Sequence, residues 1–186
     1  MELQGERLIP ADVARTWAAL NDTETLKACI PGCESLTRTA DNAFESVVAV
    51  KIGPVSARFK GKVQLTNIQA PTAYTINFEG QGGAAGFGKG SADVALSPEG
   101  AATRLRFNAK AQVGGKMAQI GSRLIDAAAQ SLAEQFFSAF EAHLGPPAAS
   151  AAPTALPPVK RAGNARWWWF AGVLALTALV YFLLRR

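Results

Sequence analysis

The chain has 186 residues, enough for one globular domain and a modest remainder. Apolar residues make up 49% and charged residues 18%, with two Cys and one His. That balance excludes wholesale disorder, a disulfide-dense secreted scaffold and a histidine-rich metal site. The net charge of +5 resembles a nucleic-acid footprint only until it is placed along the chain: residues 1–144 hold 14 basic and 14 acidic side chains. The excess is Lys160, Arg161, Arg166, Arg185 and Arg186, in a stretch without a single acid. A neutral domain carrying a basic tail argues against nucleic acid as a partner.

In chain order, a first strand leads to Pro10, which suits a helix start, and Val13, Trp17 and Leu20 follow at helical spacing. Asp22 can N-cap a second short helix running through Lys27, which Pro31–Gly32 must end. From residue 43 to 113 the apolar period is two. Phe44, Ser46, Val48, Val50 and Ile52 share one face. After a Gly53–Pro54 turn, Val55, Ala57, Phe59, Gly61, Val63 and Leu65 alternate with polar residues. Tyr74, Ile76, Phe78 and Gly80 mark a third strand, Ala92, Val94 and Leu96 a fourth, and Thr103 to Val113 a fifth. About six antiparallel strands with one wet and one dry face are expected.

After Gly114–Gly115 the period changes. Ile120, Leu124, Ala128, Leu132, Phe136, Phe140 and Leu144 recur at intervals of four, which predicts one amphipathic helix of about 28 residues, roughly 42 Å long. A helix with one apolar stripe and a sheet with one apolar face must cover each other. The fold class is therefore α+β, in the helix-grip arrangement of a curved antiparallel sheet around a long C-terminal helix. Several inward positions are small: Ala57, Gly61, Gly80, Ala92, Ala109 and Ala111. Interiors pack densely, so either the helix approaches closely there or a largely apolar ligand fills the space.

Gly83–Gly90, GAAGFGKG, nearly matches a phosphate-binding loop, but Gly90 stands where Ser or Thr should bind Mg²⁺, and the loop leads into a strand instead of opening a helix. A bulged strand connection at the mouth of the hollow fits better. Cys29 and Cys33 form C-x3-C with no second pair, so they read as reduced packing thiols. His143 sits at a helix end, where an interaction with the dipole is the default. No catalytic residue set and no metal site is expected, and the chain does not read as an enzyme.

The composition breaks at Leu144. Residues 145–166 hold five prolines with Ala and Ser and no apolar period, a semi-rigid spacer with a maximal reach of about 60 Å. Trp167–Leu184 is 18 residues without a charge, bounded by Arg166 and Arg185–Arg186, with Trp at one end and Tyr181 near the other. It has the length and aromatic belts of a transmembrane helix. The expected organisation is thus a domain over 1–144, a linker over 145–166 and a span over 167–184. MELQGERLIPADV lacks the features of an export signal, so the domain is expected in the cytoplasm, tail-anchored to the cytoplasmic membrane.

GERLIP, LNDTETLKACIPGCESL, KIGPVSARFKGKV, GAAGFGKGSADV and VGGKMAQIGSRLID together make residues 1–144 resemble the carbon monoxide dehydrogenase CoxG family, within the START-like SRPBCC superfamily. The resemblance implies a non-enzymatic accessory protein that recruits a molybdenum-containing dehydrogenase of the carbon monoxide dehydrogenase type to the membrane. It further implies a lipophilic ligand, menaquinone or ubiquinone, held as electron acceptor in the cavity, with no covalently bound cofactor. For such a ligand the expected lining is Phe59, Phe78, Phe87, Phe107, Met117, Ile120 and Leu124, with Ala57, Gly61 and Ala109 leaving the room. Lys89 and Lys116, beside the glycine loops around Gly86, are candidates to hydrogen-bond a quinone carbonyl; the plainer reading is solvated surface lysine. The alternative function is a ligand-free tether or assembly factor for the same dehydrogenase.

Overall fold

The computed structural model describes residues 1–145. The expected linker from Pro146 onward and the expected span lie outside them. Among the described residues no helix is long and apolar enough to cross a membrane. The element order is β1 (Glu2–Ile9), α1 (Val13–Leu20), α2 (Thr23–Cys29), β2 (Cys33–Ala40), β3 (Ala43–Ile52), β4 (Val55–Gln69), β5 (Ala73–Gln81), β6 (Phe87–Glu99), β7 (Ala102–Gly114), α3 (Lys116–Gln119) and α4 (Ser122–Leu144). The seven strands form one antiparallel sheet in the order β1-β7-β6-β5-β4-β3-β2. It is a meander from β2 to β7, with β1 added beside β7. The alternation read from the sequence is the alternation observed: Phe44, Leu65, Tyr74, Val94 and Leu105 point to the core while their neighbours are exposed or half-exposed.

Three local readings are corrected. First, α1 starts at Val13 and not at Pro10, because the Asp12 carboxylate accepts from the backbone N–H of Arg15 at 2.8 Å and satisfies an otherwise orphaned donor. Second, β2 is a strand that no alternating pattern marks: residues 33–40 read CESLTRTA, and the ladder with β3 shifts register twice along them. A bulge moves the side-chain period, so the pattern disappears from the sequence. Third, the single helix expected after Gly115 is two. Ile120–Gly121 separates α3 from α4, and Gly121 sits at φ +93°, ψ 144°, a conformation closed to residues with a Cβ. The remaining α4 has 23 residues and is about 34 Å long.

Asp22 caps α2 as its sequence position implies. Its carboxylate accepts from the Thr25 N–H at 2.8 Å and from the Thr25 hydroxyl at 2.7 Å. Those two bonds hold its pKa below the usual carboxylate value. A carboxylate with a depressed folded pKa stabilises the fold above its unfolded pKa, and that contribution is lost as pH falls through the folded value. Asp22→Ala is expected to cost about 1 kcal/mol at neutral pH. The difference from wild type should shrink below about pH 4, as thermal melts across an acid series will show.

The dry core lies at one end of the molecule, between α1, α2, the C-terminal half of α4 and the strand ends that meet at the 41–42, 70–72 and 100–101 turns. Ile9, Phe44, Tyr74, Leu96, Leu105, Phe137, Phe140 and Leu144 are buried there. Phe136 stacks on Phe140 with centroids 5.6 Å apart, and Trp17 meets Tyr74 edge-on at 5.2 Å. Two buried hydroxyls, those of Thr16 and Thr103, both donate to the Ala11 carbonyl, at 3.4 and 2.8 Å, and tie the β1–α1 corner to β7.

Candidate functional site: an apolar trough between sheet and helix

The opposite end is built differently. There the inward side chains of the sheet, among them Val48, Val50, Ala57, Phe59, Gly80, Ala109 and Ala111, are only half-buried. So are Ile125, Ala128, Ala129 and Leu132 on the first half of α4, while Leu124 is 51% exposed. The helix closes on the sheet over its C-terminal half and leaves the apolar inner face open to solvent over its N-terminal half. This partly covered apolar face, which runs back to the dry core, is the trough.

At the open end the chain narrows onto its glycines. A 3-10 turn at Gly83–Ala85 packs beside α3, and Ala85 and Met117 are both buried. Gly86 lies against the β7–α3 junction so closely that a Cβ on it would sit 1.9 Å from the Gly114 carbonyl oxygen; one on Gly115 would sit 2.5 Å from the Gly86 Cα. Both have positive φ, +115° and +78°. GAAGFGKG and VGGK are thus two halves of one backbone crossing, which accounts for their glycines with no phosphate involved.

The phenylalanines expected in the lining divide. Each lies against a glycine of a neighbouring segment: Phe59 over Gly80 and Gly82, Phe78 over Gly90, Phe87 over Gly114, and Phe107 over Gly5. A glycine in a strand leaves a bare patch of backbone that an aromatic ring can cover. Part of the smallness read as empty space is therefore a seat for a ring. Phe59 and Phe78 remain half-exposed on the inner face and line the trough. Phe107, also half-buried, stacks on Phe137 at 5.3 Å at the edge of the core and lines a recess of about 510 Å³ between β1 and α4. Phe107→Ala should cost about 3 kcal/mol in a denaturant titration with no ligand present. Phe87, 40% exposed, sits at the mouth, not in the interior. Met117 is a plug under the glycine turn, and Ile120 is half-buried at the break between α3 and α4.

Of the small positions, Ala57 and Ala109 are half-exposed in the trough, and a Cβ on Gly61 would meet the Ser46 hydroxyl at 2.7 Å and the Glu79 carbonyl oxygen at 3.6 Å. Lys89 alternates onto the outer face, where its register neighbours are Glu79 and Gln112, and Lys116 is exposed on α3. Lys89 also lines a recess at the edge of β7. Sequence reading missed the free edge of β7. β1 ends opposite Ala111, so Gln112–Gly114 pair only with β6, and a recess of about 540 Å³ opens there, lined by Phe87, Val113, Ala118, Ser122, Ile125 and Asp126 among others. That volume lies within the ordinary range of small-molecule pockets, ~300–1,000 Å³. A larger depression of about 700 Å³ lies over β5, β6 and β7, where Asn77, Glu79, Lys89, Ser91, Lys110 and Gln112 line it together with Met1, Phe78 and Ala111.

Among the described residues no three His, Cys, Asp or Glu side chains gather as a metal site. Burial pushes the thiols of Cys29 and Cys33 up, away from the reactive thiolate. The His143 Nε2 lies 3.2 Å from the Thr25 hydroxyl and links the end of α4 to α2.

A long C-terminal helix lying along the open side of a curved antiparallel sheet, with an apolar trough between them, defines a START-like helix-grip domain. The chain belongs to the carbon monoxide dehydrogenase CoxG family, whose model matches residues 5–145. Among solved structures it is similar to a conserved protein from Geobacillus kaustophilus, at 28% identity and TM-score 0.73, covering 77% of this chain and 95% of that one. A START superfamily protein from Mycobacterium smegmatis shares the fold at 15% identity and TM-score 0.59, covering 76% of this chain and 95% of the other. A protein from Thermus thermophilus does so at 20% identity and TM-score 0.59, covering 77% and 97%. A comparison with curated proteins finds no match.

Proposed function

We propose that the chain is a non-catalytic accessory protein of a molybdenum-containing dehydrogenase of the carbon monoxide dehydrogenase type. It recruits that enzyme to the cytoplasmic membrane and holds a respiratory quinone, menaquinone or ubiquinone, in its trough. The observation that carries the reading is the half-open apolar inner face, set in a chain of this family. Phe59, Phe78, Ala57, Ala109 and Ile125 would hold the isoprenoid part by burial alone, which is non-directional and suits a flexible apolar chain. Donors in the 540 Å³ recess are the Lys89 ammonium, the Ser122 hydroxyl and the Gln112 amide. When bound, the quinone would accept electrons from the partner enzyme. The domain's own part is to bind, orient and keep water from the ring.

The anchor belongs to the same proposal. The uncharged run 167–184 would fix the chain in the bilayer, and the Pro/Ala segment before it would keep the captured enzyme at high local concentration near the quinone pool. The experiment is reduction of vesicle-borne quinone by the purified dehydrogenase, with and without the full chain reconstituted in the same vesicles. Sedimentation of the enzyme with the vesicles is measured in parallel. Recruitment together with faster reduction supports the proposal. Recruitment with no gain in rate beyond that of an unrelated membrane tether would favour the ligand-free tether.

A further inference from the structure

Cations without an ion pair occur at both ends of the domain: at the dry end Arg15 donates to the Leu144 carbonyl and Arg38 to the Asn21 and Asp41 carbonyls, with Lys27 beside them on α2, and a second group lies where the trough opens. Among the described residues the ion pairs are Arg7–Glu134, Arg58–Glu34, Arg104 with Glu6 and Glu99, Arg106–Glu6 and Lys110–Glu2. Arg58–Glu34 and Lys110–Glu2 lie at the mouth end, and the others lie along β1, β7, β6 and α4 toward the dry core. Lys51, Lys60, Lys116 and Arg123 have no ion-pair partner among the described residues. They sit on the β3–β4 hairpin, on α3 and in the first turn of α4, which is the mouth end of the sheet and helix. Lys62 and Lys89, in the next row, have Glu45 and Glu79 as cross-strand neighbours, and Asp126 is the acid in the recess. Between these cations the mouth exposes apolar side chains: Leu124, Phe87 and, half-buried, Ile120.

We infer that this end, with Leu124, Phe87 and Ile120 at its tip and Lys51, Lys60, Lys116 and Arg123 around it, docks on an anionic lipid bilayer. Apolar side chains ringed by cations match the interface of such a membrane: rings and aliphatic chains enter the headgroup layer, and lysine and arginine meet the phosphates above it. Each cation close to an anionic surface strengthens binding about five-fold. A second copy of the chain would present the same cations and be repelled. Docking in this orientation also places the apolar trough directly on the hydrocarbon, so a lipophilic molecule could pass between them without crossing water. The geometry allows it: α4 carries the chain about 34 Å from the mouth to Leu144, and the sequence from 145 to 166 has a reach of about 60 Å back to the same bilayer. The inference rests on the membrane part of the proposed function and not on the identity of the ligand.

The test uses the full chain with the photoreactive residue p-benzoylphenylalanine in place of Leu124, and in control chains in place of Ile68 or Leu8, both exposed and both remote from the mouth. Each is reconstituted in vesicles of phosphatidylethanolamine with phosphatidylglycerol, or of phosphatidylcholine alone, floated, irradiated and analysed for lipid adducts by mass spectrometry. Lipid adducts at position 124 and not at 68 or 8 are expected. The yield should be higher with phosphatidylglycerol, reduced by salt, and reduced more than ten-fold in Lys116→Glu/Arg123→Glu, whose two exposed side chains carry no core contact. A chain that floats with the vesicles but gives no lipid adduct at 124 overturns the docking and leaves the tail anchor standing. Adducts to a second copy of the chain would make this face a self-interface and overturn it as well. A chain that does not float overturns both readings.

Discussion

Gly86→Ala is expected to destabilise the domain by about 3 kcal/mol or more, as a lower denaturant midpoint with an unchanged slope. Two independent costs add at this position. At φ +115° and ψ −150° the backbone is in a region that essentially only glycine enters, which alone costs about 1–3 kcal/mol for another residue. A Cβ would also lie 1.9 Å from the Gly114 carbonyl oxygen and 2.9 Å from the Gly115 Cα, backbone atoms that cannot step aside as a side chain can. Gly83→Ala, three residues away, is the control: its φ is also positive, at +59°, but nothing lies within 4 Å of its Cβ position. It should cost no more than about 1–2 kcal/mol. The same crossing positions α3 and the mouth, so Gly86→Ala should also weaken the ligand binding proposed above, even in the folded fraction.

The second large effect concerns the trough. Ala109 lies on its floor, half-exposed, between Leu3 of β1 and Ala92 of β6 in register. Ala109→Phe puts a ring where the proposed function puts the quinone. In a filled interior such overpacking costs roughly 1–3 kcal/mol. In an open trough the ring has room, so the melting temperature should hardly move while quinone affinity falls more than ten-fold. Early melting with ligand affinity intact in the folded protein would mean that α4 closes on Ala109 in solution and that the trough is not the site. Gly61→Leu is a softer version, since its first clash is with the movable Ser46 hydroxyl.

The parts of this fold that are legible in the sequence are those fixed by side-chain period. The period of two from Phe44 to Val113 locates the sheet and its inner face, and Asp22 marks the start of α2, because each depends on local chemistry that a few residues state. β2 is hidden because its bulges shift the period, and the break at Gly121 is hidden because an apolar stripe at intervals of four runs straight through it. The site is half legible. Ala57 and Ala109, small in the sequence, lie on the half-exposed inner face. Such positions cannot be told from glycines that seat rings, since both read as small residues in a strand; only the register shows Phe107 opposite Gly5, and only the side-chain placement shows Phe59 over Gly80. The open mouth at the β7 edge depends on where β1 ends against β7, a long-range pairing that leaves no local signal.

Whether the trough holds one apolar ligand is tested most directly by native mass spectrometry of the full chain purified in mild detergent from the cells that make it. A second peak is expected, heavier by the mass of one quinone, identified after organic extraction, stripped off by collisional activation, and missing from Ala109→Phe prepared in parallel. A wild-type chain that is folded, recruits the dehydrogenase and carries only its own mass, with no adduct after quinone is supplied in the detergent, would contradict a ligand-holding trough.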